Sequence, residues 1–455
     1  MKKLKLFGAA ALSVAAMTVL SSAPVQAQSA GKSLTPVGAE KSANADGSIP
    51  AFAGGELKAP AGWKAGQPRP NPYASEKPLV SITKANAAQY QANLTPGQLE
   101  LLNTLPGYRL DIYPTHRSCG YPDFVYQRSE ENLKTAKIAA NGYELAAAAP
   151  AGFPFPQPNS GIEAIWNYKL RWLGEGRTEP NYTLLSPGRG GSDFVKVRIE
   201  SSMLTPFGNP KAKTLAEAEG VEFKFIQEVT EPAARVGEIT LGIYYLNKTN
   251  EGWIYMPGQR RVKRLSTYAY DAPLMGLENT YYVDQAWMYN GMLDRYDYKL
   301  VGKKEIYVPY NTFELRNAKR FTAKTLFGAQ YPNRDAYRYE KHRVWVVEAT
   351  VKAGQRHAAA KRTFYLDEDS WTILLADLYD SQGKIARVQE GSILPAWELG
   401  ACVNQEFFSY DLNSGRYFGD VMVFGEPETD WLAAAQGRIK KDMFTESYLQ
   451  RAGSR

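Results

Sequence analysis

At 455 residues, with 44% hydrophobic and 22% charged side chains, the chain is long enough for a large core and too apolar to be disordered. Its formal net charge of +7 falls to +4 once three lysines of the first 27 residues are set aside. That balance excludes the basic field of a nucleic-acid binder.

Residues 1–27 read as a secretory signal peptide. Lys2, Lys3 and Lys5 make a positive start, Leu6 to Leu20 are apolar, and Val25-Gln26-Ala27 matches a small-x-small cleavage pattern. The apolar run is shorter than the ~20 residues that span a bilayer. The expected mature chain begins at Gln28 and is exported, with a bacterial periplasm the best fit. In an oxidising compartment the only two cysteines, Cys119 and Cys402, are expected to form a disulfide; two buried thiols are the alternative.

Residues 28–95 read as an extended arm. Pro50, Pro60, Pro68, Pro70, Pro72 and Pro78 recur without periodicity, while Ile49, Phe52, Trp63 and Tyr73 supply anchors that hold the arm to a main domain of residues 96–455. Helical signals concentrate in 96–175. Thr95-Pro96 caps one helix to about Leu105, Ser129 opens a second that ends near Asn141-Gly142, and Ser160 caps a third. Leu170 and Leu173 continue the spacing of the third.

From Phe194 the pattern changes to period two. Strands are predicted over Phe194–Glu200, Val221–Val229, Ile239–Leu246, Trp253–Leu265, Glu305–Val308, His342–Val351, Lys361–Leu366, Thr372–Tyr379, Lys384–Glu390 and Glu406–Tyr410. Short turns between many of them imply an antiparallel meander. So long a sheet curls, and the helices are available to fill its hollow.

The segment Trp253 to Leu265 reads as a hairpin with unlike arms. Trp253, Tyr255 and Met256 stand on an apolar strand, Pro257-Gly258 is the turn, and Arg260, Arg261, Lys263 and Arg264 return on a basic strand. It fits an amphiphile with an acidic head, with Arg261 the leading contact. On residues alone the reading that leads is an ordinary sheet edge whose cations block stray pairing. A ligand mouth puts Trp253 and Tyr255 on the concave face; a docking edge leaves the basic arm exposed. A second aromatic cluster, with Tyr281, Tyr282 and Trp287, reads either as the mouth of a ligand site or as a packed excursion between strands.

Signals for other chemistry are weak. His116, His342 and His357 are far apart and form no metal-ligand pair, so no metal or cofactor is expected. No Gly-x-Ser-x-Gly elbow is present, and Gly188-Arg-Gly-Gly-Ser-Asp193 lacks the Lys of a phosphate loop. Asp367 and Asp369 read as a hairpin turn and Glu130-Glu131 as a helix start. Neither singles out a glycosidase, so no catalytic residue is assigned.

Several motifs together resemble a family of exported proteobacterial proteins of unknown function described as outer-membrane lipoprotein-sorting-protein-like. They are Leu34-Thr-Pro-Val-Gly-Ala-Glu40, Asn44-Ala-Asp-Gly-Ser-Ile-Pro50, Gly54-Gly55, the hairpin Trp253–Leu265, Asn290-Gly291, Asp294-Arg-Tyr-Asp297, Val308-Pro-Tyr-Asn311 and Lys361-Arg-Thr-Phe-Tyr-Leu-Asp-Glu-Asp369. Cys119 and Cys402 lie outside that pattern. The resemblance implies an α+β fold of the LolA/LolB-like kind: a large curved antiparallel half-barrel with helices on its concave side. It also implies acyl-chain carriage and a setting beside a resistance-nodulation-division (RND) exporter and an outer-membrane barrel. The expected function is a periplasmic carrier or adaptor for a lipid-like molecule, and not an enzyme. A purely coupling interaction protein and a glycan-acting protein are the alternatives.

Overall fold

The computed structural model describes residues 33–188, 193–265, 270–274, 280–425 and 427–453. The signal-peptide reading and most of the Gly188–Asp193 turn fall outside them. Nineteen strands follow in chain order: β1 (Val80–Ile82), β2 (Leu110–Ile112), β3 (Lys137–Ile138), β4 (Leu145–Ala147), β5 (Gly176–Pro187), β6 (Phe194–Leu204), β7 (Val221–Glu231), β8 (Ile239–Tyr245), β9 (Glu251–Met256), β10 (Arg261–Arg264), β11 (Tyr296–Pro309), β12 (Tyr339–Val351), β13 (Lys361–Asp367), β14 (Ile373–Tyr379), β15 (Ile385–Glu390), β16 (Leu394–Ala396), β17 (Ala401–Val403), β18 (Phe407–Asp411) and β19 (Arg416–Met422). The α-helices are α1 (Pro96–Thr104), α2 (Asp123–Thr135), α3 (Gly161–Lys169), α4 (Ala323–Leu326) and α5 (Glu446–Gly453).

Fifteen strands form one open, curved sheet in the order β1-β2-β12-β13-β14-β15-β18-β19-β5-β6-β7-β8-β9-β10, with β11 on the free side of β12. Pairing is antiparallel except where β2 meets β12 at Ile112 and Tyr339. The chain lays down β5 to β10 as one meander and β11 to β19 as another. The seam between them is β19 on β5, where Gly419 pairs Leu185 and Met422 pairs Thr183. Two short hairpins, β3–β4 and β16–β17, stand apart.

Both faces of the sheet are covered. On one face Trp345, Val347, Phe364, Leu366, Ala376 and Phe418 pack with α3 in the largest core cluster. On the other, α1 packs Leu101 and Leu102 into a cluster with Val388, Phe408 and Tyr410, and α5 covers Ile239, Leu241 and Tyr255 through Leu449. The helices therefore divide between the faces, with α3 on the inner one and α1 and α5 outside.

Local chemistry explains most boundaries. Thr95 caps α1 with a reciprocal capping box to Gln98, and Ser160 caps α3 through the Glu163 amide. Helix α2 differs from its prediction. It starts six residues before Ser129, after Pro122, and Ser129 Oγ donates to Val125 O at 2.7 Å within the helix. The turn of the basic hairpin differs as well. Pro257–Gln259 form a 3₁₀ turn, and the left-handed position is Arg260, at φ 47°, not Gly258.

The arm is tied to the main domain at several points. Trp371 Nε1 donates to Val37 O at 2.8 Å, Arg343 reaches Ser42 O at 3.0 Å, and the Glu56 amide bonds Ser118 O at 2.8 Å. Further along, the arm supplies β1 to the sheet edge. Cys119 and Cys402 are joined as a disulfide, with Cα atoms 5.2 Å apart. No helix among the described residues is long and apolar enough to cross a membrane.

Candidate functional site

Strands β5 to β10 present period-two apolar side chains to the inner face, and a strap of residues 270–274 and 280–290 lies over them. Between strap and sheet is a cavity of about 470 Å3. Leu184, Val197, Ile199, Phe225, Val229 and Ile254 line its sheet side, and Leu274, Tyr281, Val283 and Trp287 its strap side. Polar groups are few: Gln227, Thr240, Asn290 and, at the rim, Arg235 and Arg264. An apolar hollow with a few convergent polar groups is the usual form of a small-molecule site.

The strap is tied down by buried polar groups. Asp284 Oδ2 accepts from Arg362 Nη2 at 2.6 Å and lies 2.8 Å from His357 Nε2. Burial raises the Asp284 pKa, but the Arg362 guanidinium and His357 together bring it below the ordinary value. Gln285 accepts from Arg387 at 2.8 Å and donates to Ser409 at 3.3 Å. Asp420 accepts from the Tyr182 hydroxyl at 2.6 Å, from the Val421 amide at 2.7 Å and from the Tyr281 hydroxyl. Burial nonetheless pushes Asp420 up to about 6. Trp287 and Met288 take left-handed backbone conformations, at φ 50° and 78°, which non-glycine residues adopt at a cost. Trp287 is held there by the Tyr168 hydroxyl on its carbonyl and by an edge-on contact with Phe223, centroids 5.4 Å apart.

The ten sequence candidates separate clearly. Tyr281 and Trp287 border the cavity; Arg264 meets its edge at the end of β10, but it pairs in register with Trp253 and its guanidinium lies 5.9 Å from that ring. Trp253 and Tyr255 do not: they face the opposite side of the sheet, where Tyr255 is 1% exposed beneath α5. Strand alternation forces this once Ile254 points inward. Tyr282 lies outside the cavity because Arg387 holds its ring, 4.1 Å from the guanidinium. Arg260 stands exposed in the turn, and Met256 is half-buried at the strand end.

Register puts Arg261 opposite Met256 and Lys263 opposite Ile254, so both cations share the inner face but stand exposed beyond the cavity wall. Arg264 pairs with Glu251 at 2.9 Å. The hairpin is thus the last strand of the sheet with its basic arm outermost, and Trp253 and Tyr255 do not form a mouth.

Sequence reasoning places Asp284 among the aromatic cluster's interleaved charges but misses its pairing with Arg362 and His357, and misses Asp420; together these fix the strap. It also missed a second polar centre under the arm. There Glu40, Asn311, Glu340, Asp367, Glu368 and Asp369 meet Arg117, Arg338, Arg343 and Lys303 in a buried network. The motifs around Glu40, Asn311 and Asp369, far apart in sequence, converge on it. Among the described residues, one group has ligand atoms close enough to hold a metal ion: His342, Asp367 and Asp369.

A family model described as Protein of unknown function (DUF1329) matches residues 81–450. The uncharacterized protein PA3922 of Pseudomonas aeruginosa is 40% identical over 415 residues, covering 90% of each chain. Among solved structures, a DUF1329 family protein from Desulfovibrio piger is similar at 14% identity and TM-score 0.40, over 61% of this chain and 92% of that one. A LolA superfamily protein from Nitrosomonas europaea matches at 13% identity and TM-score 0.36, over 64% of this chain and 99% of that one.

Proposed function

The chain belongs to the DUF1329 family, and from that premise we propose that it is a periplasmic carrier or adaptor that holds one small hydrophobic or amphiphilic molecule beneath the strap. The observation that carries this reading is the cavity of about 470 Å3, apolar along β5 to β9 with cations at its rim. Its size suits one single-chain or polycyclic ligand, since pockets of ~300–1,000 Å3 enclose one drug-sized molecule. Burial of the ligand's apolar surface drives binding at about 25 cal/mol per Å2. Arg235, which borders the cavity, favours an anionic head at the opening, and Arg261 and Lys263 lie on the same face beyond the wall. The carrier assigns no covalent chemistry to the site.

The test is uptake of cis-parinaric acid, a fluorescent fatty acid, by the purified full chain, with native mass spectrometry of the protein as isolated. Ile199→Trp fills the cavity and is expected to reduce uptake at least tenfold while the fold is kept. No uptake by the unaltered chain, or uptake that Ile199→Trp leaves unchanged, overturns the reading.

A second reading, envelope coupling, is favoured by one feature. The outermost strand β10 offers Arg261, Lys263 and Arg264 exposed, with no further strand paired to it among the described residues. An RND exporter or an outer-membrane barrel with an acidic edge is the partner type that fits. Co-purification from envelope extracts, compared with an Arg261→Glu/Lys263→Glu variant, tests it; equal recovery from both removes this reading.

A further inference from the structure

His342, Asp367 and Asp369 come from β12, the end of β13 and the turn after it, and are 1%, 0% and 2% exposed. The hydrogen bonds around them fix where lone pairs point. His342 Nε2 lies 3.2 Å from Glu340 Oε2. A carboxylate only accepts, so the ring proton belongs on Nε2, and in the neutral imidazole Nδ1 is then an acceptor. Nδ1 faces Asp367 Oδ1 at 3.9 Å, too far for a hydrogen bond. Asp367 Oδ1 itself has no hydrogen-bond partner, whereas Oδ2 accepts from the Ser370 amide at 2.9 Å and the Ser370 hydroxyl at 2.6 Å. Two buried lone pairs therefore look at each other across a gap, and something electron-poor belongs between them.

The surroundings are those of a metal site. A carboxylate behind the distal nitrogen of a ligating histidine sets its tautomer and orientation, and Glu340 occupies that position. Glu340 is in turn held by Arg338 at 2.6 Å and Asn311 at 3.0 Å. Asp369 is oriented by Arg117 through bonds of 2.9 and 2.6 Å. All three donor atoms lie within 4.8 Å of one another. An N/O pair around tetrahedral Zn2+ is about 3.4 Å apart, so binding draws the ligands inward by up to about an ångström.

We propose that His342, Asp367 and Asp369 bind one divalent transition-metal ion of the Zn2+ or Mn2+ kind, in a closed structural site roofed by the N-terminal arm. The donor set, one imidazole and two carboxylates, suits both: imidazole is a common Zn2+ ligand, and carboxylates suit Mn2+. The site is independent of the cavity and lies among β11, β12 and β13, so it locks the arm and does not act on a ligand.

The experiment is elemental analysis of the full chain in two preparations. One is isolated from envelopes without chelator. The other is unfolded in guanidinium with EDTA, freed of chelator, refolded with Zn2+ or Mn2+ and desalted. Because structural metals bind as the chain folds, about one ion per chain is expected in either preparation, falling at least tenfold in Asp367→Asn. Circular dichroism and parinaric acid uptake report whether Asp367→Asn stays folded. If it does not, His342→Gln supplies the second variant. Fewer than about 0.1 ion per unaltered chain in both preparations overturns the proposal. Metal retained in full by folded Asp367→Asn or His342→Gln overturns it too.

Discussion

Truncation of the strap's central acid, Asp284→Ala, isolates what holds the cavity closed. Asp284 is 1% exposed and its partner Arg362 is 0% exposed, with Nη2 2.6 Å from the carboxylate. The Tyr289 and Tyr296 rings flank the guanidinium at 5.2 Å each, and its Nε and Nη1 have no acceptor. Removing the acid leaves a buried cation uncompensated, a loss of about 3–5 kcal/mol when one member of such a pair is deleted. Replacing both members with apolar groups avoids that penalty, so Asp284→Ala/Arg362→Met is expected to cost at least about 2 kcal/mol less than the sum of the single changes. Urea unfolding followed by tryptophan fluorescence measures all four species. The strap should also loosen before the sheet does, so parinaric acid leaves Asp284→Ala faster than the unaltered chain. A cost below about 1 kcal/mol, or additive single costs, refutes the assignment of Asp284 as the clamp.

Two further outcomes follow from other parts of the fold. The Cys119–Cys402 bridge spans 283 residues of chain, and the loop-entropy relation puts its stabilisation at up to about 5.6 kcal/mol. Cys119→Ser/Cys402→Ser should lower the urea midpoint, and alkylation of the unreduced protein should add no mass; an unchanged midpoint or two added alkyl groups contradicts this. Asp420 has a folded pKa of about 6 against 3.8 for the free side chain, so the folded chain holds its proton more tightly. Its contribution to stability therefore grows as pH falls from about 6 to about 4, by about 3 kcal/mol, and is absent above that window. Measured against Asp420→Asn, the unaltered chain should gain that increment on acidification, and parallel pH profiles would refute the assignment.

Much of the sheet is readable from periodicity because β6 to β8 and β12 to β15 alternate cleanly or run continuously apolar. Strands β5 and β19 are not. Pro180 and Pro187 interrupt the first, which bulges between Glu179 and Tyr182, and Gly419 and Asp420 interrupt the second. Yet these two form the seam that makes one sheet of two meanders. The hairpin shows the limit of an alternation argument. Period two states that Trp253 and Tyr255 share a face opposite Ile254, but not which face is the hollow, because α5 gives the outer side an apolar cover of its own. The strap clamp was illegible for a different reason. Asp284 and Arg362 are 78 residues apart, and each alone reads as an ordinary charged residue. His342 carries no metal-ligand spacing in the sequence because Asp367 and Asp369 lie one strand away in space and not one helical turn away in sequence.

The arm has a consequence in time. Val37 is anchored to Trp371 across 334 residues and Glu40 to Glu368 across 328. Chains are made from the N-terminus, so this early segment waits for nearly the whole of the protein before finding its place. Contacts of such separation form slowly and late. The sheet can curl and the strap can settle while Ser33 to Glu56 still trails free, and the arm then closes over β11 to β13 as the last cover. Whatever belongs in the ground beneath it has to arrive first.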